Sequence, residues 1–277
     1  MDNKLIFYNG RFVKSKVYYN LLKDRGFNFG ESVYEVIRFC DRILICFDDH
    51  IDRLEKGLSE LRIENPLKKD EWKKICLNVA NQYGKRECIV YIQVTGGSVE
   101  REHFVKERPK PNYVVFCQDI PHIPEYFNII LFPEIRWKWA HLKTTNLLPN
   151  VMVKYFAKQK GFDEALFFDE DGSVKEGSST NIFYIKDKVF FTPSLNGILP
   201  GVTRKRFIEF LKNKGYLVFE NKVMIWDLFE ADGVFLTGTS TELKPVKSIN
   251  KISIKVFPYY KELEKEFVDY LLKISRL

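Results

Sequence analysis

The chain of 277 residues has 45% apolar side chains, enough to bury a substantial core, and sets 44 Lys and Arg against 37 Asp and Glu for a net charge of +7. The basic residues are scattered and form no arm or run suited to nucleic acid, while a modestly basic surface suits carboxylate and phosphate ligands. The amino-terminal MDNKLIFYNGRFVKSK lacks the pattern of a leader, and no uncharged apolar run is long enough for a membrane span, so a cytoplasmic globular protein is expected.

In chain order, LIFY and RFVK flank Asn9-Gly10 and predict a hairpin, and VIRF and ILICF flank Asp41-Arg42 and predict another. HIDRLEKGLSELRI places Ile51, Leu54, Leu58 and Leu61 on one helical face, and a second helix is predicted from Glu71 to Tyr83. Two strands, CIVYIQVT and NYVVFC, bracket a charged loop from Gly96 to Pro111, long enough to carry function. Pro121 and Pro124 bias their neighbours away from helix, and the apolar pattern restarts after them. Two domains are therefore expected, a small α+β unit over 1–120 and a larger α/β unit over 121–277. The second half predicts a helix over 148–160, strands ALFFD, NIFYI and KVFFT, a helix after Pro200-Gly201, the strand GVFLT, and an amphipathic helix over 259–274. The five cysteines, Cys40, Cys46, Cys76, Cys88 and Cys117, are odd in number, form no CxxC pair and lie in apolar stretches; reduced core residues are expected, with no zinc or other metal site.

Several segments of the second half could carry chemistry. LPGVTRK sets Gly201-Val202-Thr203 at a helix amino terminus, and LTGTSTE sets hydroxyls after an apolar strand; both suit a phosphate, and each alone is equally an ordinary cap or a Thr/Ser turn. WKWAHLKTTNLLPN surrounds Lys143 with aromatic and apolar residues, where loss of water favours the neutral amine of Schiff-base chemistry, although surface lysines snorkel over such neighbours too. VKEGSSTN presents Glu176 just after a strand, either as a turn-capping carboxylate or as the partner of a protonated pyridine nitrogen.

The ordered segments GFNFGESVYEVIRF, HIDRL, LKTTNLLPN, EGSSTNIF, ILPGVTRK and FLTGTSTELKPV resemble the class IV aminotransferases over nearly the whole chain, most of all the D-amino-acid aminotransferases. The resemblance implies pyridoxal 5'-phosphate (PLP) fold type IV, with the cofactor between a small and a larger α/β domain. It matches Lys143 to the lysine that binds PLP as a Schiff base and acts as general base, and Glu176 to the partner of the pyridine nitrogen. Arg53, Val202, Thr203 and Thr239 match the phosphate contacts. Tyr34, Arg101 and His103 match the group that holds the substrate carboxylate in D-specific members, the loop of Arg101 and His103 coming from the neighbouring subunit of a homodimer.

Where D-specific members usually read VTRG, this chain has Val94-Thr95-Gly96-Gly97, and its loop lacks their short Phe-Pro ending. Relative to the branched-chain L-specific members, Leu148 stands in place of a tyrosine and the Tyr-Arg-Pro segment is absent. The expected reaction is transfer of the amino group of an amino acid, favouring a D-amino acid such as D-alanine or D-glutamate, to a 2-oxo acid. A branched-chain L-amino-acid aminotransferase, a 4-amino-4-deoxychorismate lyase and a non-catalytic cofactor binder are the rivals.

Overall fold

The computed structural model describes residues 21–276, together with the backbone of two short strands, β1 (Ile6–Tyr8) and β2 (Arg11–Val13). These pair antiparallel with Phe7 opposite Phe12, as the first hairpin predicted; its Asn9-Gly10 turn lies outside the described residues.

The first half builds one antiparallel sheet in the order β4-β3-β5-β6, from β3 (Ser32–Cys40), β4 (Ile43–Leu44), β5 (Glu87–Thr95) and β6 (Asn112–Gln118). Alternate residues of β3 turn inward, so Val33, Ile37 and Phe39 share a core with Ile51, Leu54 and Leu58 of α2 (Phe47–Glu60) and Trp72 and Cys76 of α3 (Lys69–Tyr83). A short helix, α1 (Arg25–Phe29), precedes β3, capped by the Asp24 carboxylate and closed by Gly30 at φ 65°. Asp41 and Arg42, at φ 49° and 68°, form the left-handed pair that a two-residue hairpin needs. The strand predicted over ILICF is only two residues long, because Cys46 adopts φ 51° and starts α2 directly. That corner faces away from its own sheet: Ile45 and Cys46 join the core of the second half, and the Cys46 N–H donates to Ser275 Oγ at 2.9 Å.

The second half is organised by a nine-stranded mixed sheet in the order β12-β11-β10-β13-β14-β7-β8-β9, with β15 (Ile252–Ser253) pairing to β14 off this path. In sequence these are β7 (Phe127–Pro133), β8 (Glu164–Phe168), β9 (Val174–Gly177), β10 (Asn181–Lys186), β11 (Val189–Pro193), β12 (Leu217–Asn221), β13 (Gly233–Gly238) and β14 (Glu242–Ile249). Both faces of the sheet are covered, and β10 shows how. Phe183 and Ile185 pack under α5 (Val202–Asn213) and α7 (Tyr260–Ile274), among Phe207, Phe210 and Phe267, while Ile182 and Tyr184 face a core completed by Leu228 of α6 (Ile225–Glu230). Fully burying a ring of this size contributes about 1.5–3 kcal/mol. The helix α4 (Leu148–Gln159) buries only Val153 and Ala157, against Phe162, Ala165 and Phe167. Residues 119–126, with Pro121 and Pro124, run between the two sheets.

Three cysteines, Cys46, Cys76 and Cys88, are buried, while Cys40 and Cys117 are half-buried; all five are free. Among the described residues no helix is long and apolar enough to cross a membrane, and no group of three or more His, Cys, Asp or Glu could hold a metal ion.

Candidate active site

A cavity of about 630 Å³ gathers side chains from elements distant in sequence. Tyr34 comes from β3, Arg53 from α2, Lys143 from the segment between β7 and α4, and Glu176 from β9. Val202 and Thr203 open α5, and Thr239, Ser240 and Thr241 form the turn between β13 and β14. Seven of the nine candidate residues thus line one space.

Lys143 is half-buried and held by its own backbone, whose carbonyl accepts from Tyr34 N at 3.0 Å while Thr144 bridges to Val33. This stitch to β3 brings Lys143 Nζ to 4.3 Å from the centre of the Tyr34 ring, which itself stacks on Tyr91. Amine and phenol therefore share one wall, with the lysine fixed at its root.

Arg53 is locked in place. Its Nε and Nη2 donate to Glu35 Oε1 and Oε2 at 2.7 and 2.8 Å, and its Nη1 donates to the Pro200 carbonyl at 3.0 Å. Two of its five N–H groups remain for a ligand. Glu35 is fully buried and also accepts from His50 Nδ1 at 2.7 Å. Burial alone would raise its pKa, but the Arg53 fork and His50 outweigh it and hold the carboxyl at about 2. Burial keeps His50 below the usual histidine value, so its neutral ring donates Nδ1–H to the ionised carboxylate. The bond to Pro200 ties this buried triad to the start of α5.

Glu176 lies within β9, whereas the sequence placed it just after a strand. Its Oε1 accepts from Arg136 Nη1 and from Leu199 N at 3.0 Å, and its Oε2 from Asn181 Nδ2 at 3.0 Å. Burial pushes this carboxyl up to about 7 despite Arg136, because that arginine is divided: its Nε and Nη2 go to Glu134 at 3.0 and 2.6 Å, and its guanidinium lies over Phe167 at 4.6 Å.

The space beside these groups fits a phosphorylated pyridine. Thr180 Oγ1 and Thr237 Oγ1, both on the cavity wall, are buried without a hydrogen-bond partner. Helix α5 starts at Gly201, which offers no side-chain cap, and a Cβ there would stand 2.1 Å from Asn181 Oδ1. An uncapped helix amino terminus, a hydroxyl turn and a fixed arginine suit a phosphate, and the Glu176 carboxyl suits a ring nitrogen.

Arg101 and His103 do not reach this cavity within their own chain. Both are exposed on the loop between β5 and β6, where the Arg101 guanidinium lies 5.1 Å from the Phe29 ring and the His103 ring 5.5 Å from it.

Sequence reasoning missed Glu35, His50, Arg136 and Asn181. Glu35 had a signal, since it occupies an inward position of β3 between Val33 and Ile37, where an unpaired carboxylate would be intolerable. His50 and Arg53 stand one helical turn apart on α2, a second signal. Arg136 follows β7 in irregular chain and fits no period.

A sequence model of the amino-transferase class IV family matches residues 32–249. The chain is 33% identical over 251 residues to D-alanine aminotransferase of Bacillus licheniformis, covering 88% of each chain. It is 32% identical over 280 residues to a protein of Methanocaldococcus jannaschii provisionally named branched-chain-amino-acid aminotransferase, covering 97% of this chain and 96% of the other. Among solved structures it is similar to one provisionally named 4-amino-4-deoxychorismate lyase from Legionella pneumophila, with TM-score 0.84 at 25% identity, over 90% of this chain and 94% of the other.

Proposed function

Because the chain belongs to the class IV aminotransferases, PLP-dependent enzymes of fold type IV, we propose that it moves the amino group of a D-amino acid, such as D-alanine or D-glutamate, to a 2-oxo acid. The observation that carries this reading is the convergence of Tyr34, Arg53, Lys143 and Glu176 on one cavity. Arg53, the first turn of α5 at Val202 and Thr203, and Thr239 hold the phosphate. Lys143 Nζ would hold the cofactor and, when free, would take the α-proton of the substrate as general base. Bound there, PLP supplies the electron sink for the charge that this proton leaves behind. Glu176, pushed up to about 7 by burial, would be ionised by a protonated ring nitrogen and hold that proton in place through its negative charge.

The D-specific reading rests on Tyr34 beside Lys143, on the Arg101-Glu102-His103 segment, and on the likeness to D-alanine aminotransferases. Arg101 and His103 serve the cavity of a second copy in a homodimer, and the small and large domains divide near residue 120, between the two sheets. The exposed apolar face of α4, with Leu148, Val151, Met152 and Tyr155, favours such a dimer, and a monomer in sedimentation equilibrium would remove it.

The test is a half-reaction on PLP-loaded protein, following the visible cofactor band as D-alanine, D-glutamate, L-leucine and L-glutamate are added separately. Bleaching by the D-amino acids alone is expected. Bleaching by L-leucine would move the chain to the branched-chain group, and no response to any of the four would favour the lyase or a non-catalytic binder.

A further inference from the structure

The loop between β5 and β6 is a built structure laid over α1, and one arginine organises it. Arg25 is buried, with 8% of its side chain exposed, although it lines neither the cavity nor any core cluster. All three of its guanidinium nitrogens are used: Nε donates to Glu31 Oε2 at 2.5 Å, Nη1 to the Glu102 carbonyl at 2.8 Å, and Nη2 to the His103 carbonyl at 3.3 Å. The guanidinium also lies 5.1 Å from the Phe29 ring, the ring that Arg101 and His103 contact.

The ends of the loop are tied to the same short segment. Arg25 N donates to the Gly97 carbonyl and Gly96 N to the Glu31 carbonyl, both at 2.9 Å, and Arg108 near the far end pairs with the Glu31 carboxylate. Glu31 stands so close to Gly96 that a Cβ there would lie 2.9 Å from its Cδ. The latch and the missing side chain at position 96 are therefore coupled. Only a planar, permanently charged fork serves these three acceptors at once; a lysine cannot.

We propose that Arg25, held by Glu31, is a positioning residue for substrate recognition: it fixes the backbone of residues 102–103 so that Arg101 and His103 are preset to receive a substrate carboxylate. This rests on the role given to those two residues above. A carboxylate receptor on an exposed loop gains affinity when its ordering cost is met before substrate arrives.

The test compares Arg25→Ala, Arg25→Lys, Arg101→Ala and the double variant R25A/R101A as PLP-loaded enzymes, with KM and kcat for D-alanine and hydrogen exchange over residues 98–108. R25A and R101A should each raise KM about tenfold or more with a smaller change in kcat, since small misplacements of binding groups are costly. The double variant should lose less than the product of the two single effects, since only the placement of His103 is left for R25A to disturb, R25K should fail to rescue, and exchange in R25A should quicken locally. A KM raised by R101A but not by R25A, or effects that multiply in the double variant, would overturn the proposal. A KM unmoved by R101A would instead remove the carboxylate role of Arg101, and the proposal with it. Should R25A not fold, Glu31→Ala, which frees both Arg25 Nε and Arg108, carries the same comparison.

Discussion

Glu35 and Glu176 are both enclosed carboxylates beside a buried arginine, yet one is held at about 2 and the other pushed up to about 7. Burial does not separate them; the arrangement of cation does. Arg53 gives Glu35 a two-pronged fork and His50 adds a third donor, whereas Arg136 is shared between Glu176 and Glu134. The first carboxylate is a fixed part of the scaffold that aims Arg53. The second is left undercompensated, so its charge answers to whatever binds beside it.

The largest expected effect breaks the scaffold side of this contrast. Arg53→Ala strands an ionised, fully buried Glu35 and should cost about 3–5 kcal/mol in urea unfolding of the cofactor-free protein. Arg136→Ala should cost less, because Glu176 relieves its own burial by taking up a proton near neutral pH. Equal losses would mean that the two pairs are not different in kind.

Next comes chemistry. Glu176→Gln should lower kcat by about 10²–10³ with the cofactor still bound, the scale for losing a preorganised charge at a reacting group. Glu35→Gln should act mainly on cofactor affinity, read by titrating PLP into cofactor-free protein. A comparable kcat loss for E35Q at saturating PLP would erase the division of labour.

The smallest effect is in pH dependence, where the two groups have opposite signs. Glu176 binds its proton more tightly folded than unfolded, so its contribution to cofactor-free stability is greatest below about 4.5 and is lost as pH rises to about 7, by at most about 3 kcal/mol. Glu35 behaves oppositely: its contribution is present above about 4.5 and is lost as pH falls toward about 2. Thermal unfolding across pH should show both slopes without cofactor. Loading PLP should flatten the upper one, since a positive ring nitrogen keeps Glu176 ionised; an upper slope that persists would argue against contact between Glu176 and the ring.

Much of this arrangement was legible in the residues. Lys143, Glu176, Val202, Thr203 and the Thr239 turn stood out in their own segments, Tyr34 and Arg53 only through the family resemblance, and the structure brings all seven to one cavity. What stayed hidden depends on tertiary placement. Arg136 becomes a partner of Glu176 only because β7 and β8 lie side by side, with β9 next in the sheet. Strand β14 was not read as one because ELKPVKSI carries two lysines and Pro245, which has no N–H for the ladder, yet it sits between β13 and β7. Strand β9 is only four residues long and runs on through Glu176 to Gly177, and so short a run shows too little alternation to mark where it ends.

The bond from Cys46 to Ser275, with Ile45 and Cys46 packed among Phe207, Phe267 and Leu271, also bears on how the chain is made. During synthesis, residues 32–118 can pair their strands long before α7 leaves the ribosome, but the corner at 45–46 lacks its full cover until α7 joins α5 over it. The nascent chain therefore carries an apolar corner that α7 must close, and truncation within α7 would leave the four-stranded sheet assembled but unsealed.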